Sequence, residues 1–264
     1  MSNKITVWQE DFSVRAYQVD HRAKLKPTAV AQLFQEAAGN HATANGAGFH
    51  DIFKMGKMWV LSRLKFEVNG RPVLFDQVTL KTWVKSVNDF NSEREFVFED
   101  KDGNVLVKGS SLWFMLDMKT RRPSALEPVK SYFNIEENLS SIGALEKINV
   151  EGELKFTDAR NVKYSDLDPN NHVNNVKYLE WALDSYPFSY VQKNKLLGFE
   201  LNFLAETRMG DEVILETHEV NLENRTVLYT KVKNKATDKL VCVVSTEWKK
   251  AKKAVDQAKE LELA

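Results

Sequence analysis

Apolar and polar positions alternate with a period of two in several stretches of the chain. Residues 76–84 read DQVTLKTWV and residues 211–220 read DEVILETHEV. In the first, Val78, Leu80 and Thr82 fall on one face; in the second, Val213, Leu215 and Thr217 do. Such alternation predicts half-buried strands. Turn-forming sequences separate them, DKDGN at 100–104 and NKATD at 234–238. Strand, turn and strand without an intervening helix predict an antiparallel sheet. Two segments carry the helical period instead. TAVAQLFQEAAGNHA, from about Pro27, places Val30, Leu33, Phe34 and Ala37 on one face, and Pro27 and Thr28 suit its start. VNNVKYLEWALDSYP offers Val176, Leu179, Trp181 and Leu183, and Pro187 ends it.

The two strand patterns recur in one register. Residues 76 and 211 are 135 apart, and the same offset pairs Ser110 with Ser245 and Trp113 with Trp248. It also pairs Leu106–Val107 with Val241–Cys242, Phe66 with Leu201 and Val68 with Phe203. Three segments repeating in order predict an internal duplication. Aligning Asp20 with Asp166, an offset of 146, superposes the helices and pairs Val30 with Val176 and Leu33 with Leu179. The first half then holds 11 more residues between helix and next strand, expected within NGAGFHDIFKMGK. Each half reads as a strand, a long helix and several antiparallel strands, an α+β fold. The expected halves are 1–135 and 150–250, joined by a connector over 136–149. The wider stretch 122–150 holds two prolines and no clear strand pattern. Residues 251–264 read as a solvated terminal helix or tail.

Composition narrows the function. The 37 basic residues balance 37 acidic ones, which gives no support to nucleic-acid binding. Cys242 is the only cysteine, so neither an intramolecular disulfide nor a multi-cysteine zinc site can form. The start, MSNKITVWQEDF, has no apolar stretch of signal-peptide length. No run approaches the roughly 20 apolar residues of a membrane span. A cytoplasmic protein is expected. No G-x-S-x-G elbow, Walker loop, H-E-x-x-H or dinucleotide fingerprint occurs, and no cofactor or metal is implied.

The halves differ where chemistry would sit. At offset 146, Asp168 faces Arg22, Asn170 faces Lys24 and His172 faces Lys26; at offset 135, Glu206 faces Arg71. The second half thus offers Asp, Asn, His and Glu where the first offers four basic residues. Asp168, Asn170 and His172 sit at the mouth of a helix, whose free N–H groups can hold an oxyanion. Glu206, among apolar neighbours, could have a raised pKa and act as a base. The same DPNN residues equally suit an ordinary turn and cap.

DLDPNNHVNNVKYLEWALDSYP, residues 166–187, strongly resembles the signature of the acyl–acyl-carrier-protein thioesterases. The matching residues are Asp168, Asn170, His172, Val173, Asn174, Asn175, Val176 and Tyr178, then Trp181, Ser185 and Pro187. FSVRAYQVD, LFQEAAGNHA, WVLSRLKFEV and LWFMLDMKTRRPSAL are similar to further family segments, so the resemblance runs to about residue 250. It implies a tandem (double) hot-dog fold, each unit a long helix on a curved antiparallel sheet. It also implies hydrolysis of fatty acyl–acyl carrier protein in fatty acid biosynthesis, with Asp168, Asn170, His172 and Glu206 as the site. The stretch around the glutamate departs from the family pattern. Phe203-Leu204-Ala205-Glu206-Thr207 lacks the usual basic pair and cysteine, which excludes a cysteine nucleophile there. Cys242 reads as a small buried apolar residue.

On this reading Glu206 is the general base, or a nucleophile forming an anhydride; Asn170 and His172 hold water and substrate, and Asp168 orients the motif. The first half is expected to take the acyl chain, with helix Val30–Ala37 and strands Trp59–Phe66 and Val78–Trp83 as candidate walls or plain core. An acidic carrier protein would meet basic residues, either Lys119, Arg121 and Arg122 or Lys249, Lys250, Lys252 and Lys253. A monomer or a homodimer is expected, with no nucleic acid or membrane partner. An acyl-CoA thioesterase and a noncatalytic acyl-chain binding protein are the alternatives.

Overall fold

The computed structural model describes residues 4–136, 139 and 142–251. Its first set of elements is β1 (Val7–Ser13), α1 (Pro27–Ala44), α2 (Phe49–Lys54), β2 (Lys57–Val68), β3 (Gln77–Val87), β4 (Asn91–Asp100) and β5 (Val105–Asp117). The second set is β7 (Glu153–Asn161), α4 (Asn175–Ser185), α5 (Phe188–Lys193), β8 (Asn194–Phe203), β9 (Glu212–Asn221), β10 (Thr226–Asn234) and β11 (Leu240–Lys250). Between them lie the two-residue strand β6 (Pro123–Ser124) and the short helix α3 (Glu127–Lys130), both ahead of the expected connector. The proposed terminal helix or tail lies outside the described residues, apart from Ala251.

All strands join one antiparallel sheet in the order β1-β3-β4-β5-β2-β8-β11-β10-β9-β7, with β6 beside β5. Exchanging the two sets reverses this order onto itself. The seam is β2 against β8, and its register places Lys65 opposite Glu200 and Phe66 opposite Phe199. Residues 65 and 200 are 135 apart, so each copy meets its own counterpart there. The pseudo-twofold axis therefore passes between Lys65 and Glu200. Mirrored details follow: the Trp113 indole donates to Ser111 at 2.8 Å and the Trp248 indole to Thr246 at 2.9 Å. This is the tandem hot-dog arrangement, one long helix per copy against a shared sheet.

Alternation places the buried face of each strand against the helices. From α1, Val30, Phe34 and Ala37 are buried, and from α4, Val176, Tyr178, Leu179, Trp181 and Ala182. Both sets belong to one continuous core. Phe34 stacks on Phe96 at 4.6 Å and packs on Phe66 at 4.8 Å. Gly109 in β5 makes room for this, because a Cβ there would lie 2.7 Å from the Phe34 ring. Cys242 is fully buried and free. A second, smaller cluster joins Leu126, Val129 and Phe133 of the segment after β5 to Ala42, Ile52, Val84 and Met115.

The structure corrects the helix alignment. Asp20 and Asp168 play the same part: each side chain accepts the N–H two and four residues on, Arg22 and Lys24 or Asn170 and His172. Each turn also carries a residue at positive φ, Ala23 at 56° and Asn171 at 60°. The true offset is thus 148, not 146. Arg22 faces Asn170 and Lys24 faces His172, and the first copy keeps its aspartate. The added length lies largely in α1 itself, 18 residues against 11 in α4, rather than wholly in the loop after it.

Candidate active site

The segment before α4 is a tight turn. Asp168 N–H donates to the His172 carbonyl at 2.8 Å, and Asp168 Oδ1 accepts from the N–H of Asn170 at 2.8 Å and of His172 at 3.2 Å. Asn171 occupies the left-handed region that its short amide tolerates. Asn174 caps α4 by accepting from Val176 N–H at 2.9 Å. That donor is therefore engaged, and His172 lies in the turn ahead of the cap.

A second segment follows β8. The Val173 N–H donates to the Thr207 carbonyl at 2.9 Å, and the Tyr178 hydroxyl of α4 donates to the buried Thr207 hydroxyl at 2.9 Å. His172 and Arg208 form an antiparallel bridge. Glu206 is then the diagonal neighbour of His172 on the same face, within reach of a long side chain. The result is a close contact: His172 Nε2 lies 3.2 Å from Glu206 Oε2.

The surroundings of Glu206 are ionic rather than apolar, contrary to expectation. Arg208 lies 3.4 Å from Oε2, and Arg121 contacts Oε1. Arg121 belongs to the first copy. It sits in a turn held by Asp117, which accepts from Lys119 and Thr120, and its guanidinium also touches Met58. Burial, with the nearby Arg208 and Arg121, holds the His172 imidazole below its ordinary 6.5, against the pull of Asp168. The imidazole is neutral at pH 7.

Asn170 points elsewhere. It lines a cavity of about 220 Å3 whose other walls come from the first copy, among them Gln35, Ala38, Trp59, Arg94, Trp113 and Phe133. The expected wall residues Val30, Phe34 and Ala37 are core, and the opposite side of α1 lines the cavity. Trp59 lines it as anticipated. Among the described residues no group of three or more His, Cys, Asp or Glu side chains could hold a metal ion.

The quasi-equivalent place in the first copy is a salt bridge. Arg71, the counterpart of Glu206, bonds Asp20 at 2.9 Å. Asp20 thus closes on a cation, whereas among the described residues Asp168 makes no ion pair and accepts from its turn N–H groups.

Residues 5–130 match the acyl-ACP thioesterase N-terminal domain, and residues 151–250 match the acyl-ACP thioesterase C-terminal domain. The chain belongs to the acyl-ACP thioesterase family. Palmitoyl-acyl carrier protein thioesterase of Cuphea hookeriana is 30% identical, over 80% of this chain and 54% of its own length. The chain spans about half the length of the curated relatives it matches first. An acyl-ACP thioesterase from Bacteroides thetaiotaomicron superposes with a TM-score of 0.83 at 28% identity, over 92% of this chain and 98% of that one. The fold is shared with the 12:0-ACP thioesterase of Umbellularia californica, TM-score 0.81 at 24% identity, covering 93% and 94%.

In this family member the structure brings His172 and Glu206 into contact, sets Asn170 in the cavity wall and gives Asp168 to the turn backbone. Sequence reasoning missed Arg208, although it lies two positions beyond Glu206 on the same extended face. It placed Arg121 on a docking surface rather than against the carboxylate. It also passed over Arg94, which alternates with Ser92, Phe96 and Phe98 and so had to face inward.

Proposed function

We propose that the chain hydrolyses the thioester of fatty acyl–acyl carrier protein to free fatty acid and carrier protein. The observation that carries this reading is the 3.2 Å contact between Glu206 and His172 beside a mostly apolar cavity that Asn170 lines. Family membership and the activities of the named relatives support the substrate class.

Glu206 accepts a proton from water, and the hydroxide attacks the thioester carbonyl carbon. The carbonyl oxygen takes the negative charge, which Arg121 and Arg208, beside Glu206, offset. Collapse breaks the C–S bond, and the thiolate of the carrier's prosthetic arm recovers the proton from Glu206. His172, neutral, orients the water; Asn170 holds the acyl group where the cavity begins. Residues 1–135 receive the acyl chain, 150–250 carry the catalytic groups, and 136–149 connect them. The copies pair with each other within one chain, which supports a monomer. A cytoplasmic setting belongs to the same reading; among the described residues no helix is long and apolar enough to cross a membrane.

Glu206→Gln and His172→Ala should each lower kcat/KM on acyl-carrier-protein by about 10²–10⁴-fold, the range for a positioned proton carrier. Near wild-type turnover in both would refute the assignment. Single turnover in heavy-oxygen water separates the two chemistries, since label enters Glu206 only through an anhydride. Matched acyl-CoA substrates, run in parallel, report the acyl-CoA alternative, and retention of ligand without free acid reports a binder.

A further inference from the structure

The cavity that would receive the acyl chain is not uniformly apolar. Arg94 stands in its wall, 5% exposed, and its hydrogen bonds go to neutral acceptors, His41 Nδ1 at 2.8 Å and Thr82 Oγ1 at 3.2 Å. It makes no ion pair among the described residues. Burial and the Arg94 charge push His41 down to about 4, so the imidazole is neutral. A desolvated cation without a counter-charge is costly to keep. In the same wall, the Gln35 Nε2 is buried with no hydrogen-bond partner. The wall thus holds a cation whose acceptors among the described residues are both neutral and, beside it, an amide donor without a partner.

The sister copy shows what a plain apolar wall uses. Arg94 pairs with Val84, and Leu228 pairs with Glu219. Residues 84 and 219 are 135 apart, so Leu228 is the counterpart of Arg94. A fully buried leucine occupies the one strand position and an arginine the other. The strand order puts β4 two strands from β2, roughly 10 Å across the sheet.

We propose that the cavity receives a medium-length acyl chain whose distal end carries a carboxylate, held by Arg94 and Gln35. Trp59, Trp113 and Phe133 enclose the methylenes between the two ends. This inference rests on the hydrolase reading for its thioester end, and its own content is the polar terminus.

The test compares octanoyl and octanedioyl thioesters of carrier protein, with free octanoate and octanedioate as equilibrium ligands in thermal unfolding. Wild type should hydrolyse the octanedioyl substrate with kcat/KM on the order of tenfold or more above the octanoyl one, as a charge-assisted hydrogen bond implies. Octanedioate should raise Tm more than octanoate at equal concentration. Arg94→Met should reverse the preference. Gln35→Leu, at a half-buried position that leaves the core intact, should reduce it several-fold even if Arg94→Met does not fold. Equal or better use of the octanoyl chain by wild type, or Tm shifts that favour octanoate, overturns the proposal while leaving hydrolysis standing. Stabilisation by octanedioate without turnover of either thioester supports the polar terminus and refutes the hydrolase.

Discussion

Asp168 occupies the family's motif yet spends its side chain on two backbone N–H groups rather than on the reacting atoms. An amide oxygen can accept the same two bonds. Asp168→Asn should therefore retain most activity, whereas Asp168→Ala should lose about 1 kcal/mol of stability with the turn and shift His172 away from Glu206. Paired melting curves and kcat values check this; a severe defect in Asp168→Asn would show that its charge matters. His172, held below 6.5 by burial and the arginines, sets the acid side of the rate profile. The rate should fall as pH drops through an inflection below 6.5, and His172→Gln should abolish that limb. His41 governs stability instead. Its native pKa is about 4, while the unfolded chain protonates it near 6.5. The unfolded state thus binds the extra proton between those values. The contribution is fully present above 6.5 and is lost as pH falls toward 4, on the order of 3 kcal/mol. Urea midpoints taken across that window would show a slope of this sign.

At the scale of elements, the packing hub is Phe34 of α1 lying on β5 at Gly109. Gly109→Ala would put a methyl 2.7 Å from Phe34 and 2.8 Å from Phe66. A cost of about 1–3 kcal/mol is expected from such overpacking, read as a lower denaturant midpoint. The strands and helices were legible because alternation and helical spacing report burial directly. β9 shows this, with Val213, Leu215 and Thr217 all buried. The helix alignment was not legible to the residue. Asp166 and Asp168 both precede the same helix, and only the turn hydrogen bonds show which one matches Asp20. The environment of Glu206 was hidden for a different reason: its partner Arg121 is 85 residues away in the other copy. No local pattern reports a contact made by a loop across the pseudo-twofold axis. Arg94, by contrast, was visible because it alternates with Ser92, Phe96 and Phe98 on the buried face of β4.

The whole molecule is two like-folded halves, so it carries two related clefts that differ in charge. Glu206 and His172 stand in one; Arg71, Arg22 and Lys24 stand in the other, where Lys195, Lys249 and Lys250 extend them into a basic groove. An acidic carrier protein would be drawn to either basic surface. A thioester can react only where Glu206 and His172 meet, so productive docking must place the prosthetic arm there. Arg121 is already committed to Glu206, which leaves exposed Lys119 and Arg122, beside it in the chain, as the charges that steer the carrier. The basic groove of the sister cleft lacks the catalytic pair and can hold the carrier only nonproductively. Reversing Lys119 and Arg122 together to Glu should raise KM for acyl-carrier protein about fivefold to tenfold with kcat little changed, an effect that fades with added salt. Reversing Lys249 and Lys250 should leave KM near wild type. Lys249 and Lys250 controlling KM instead would move the docking face to the sister cleft, and with it the direction from which the arm enters.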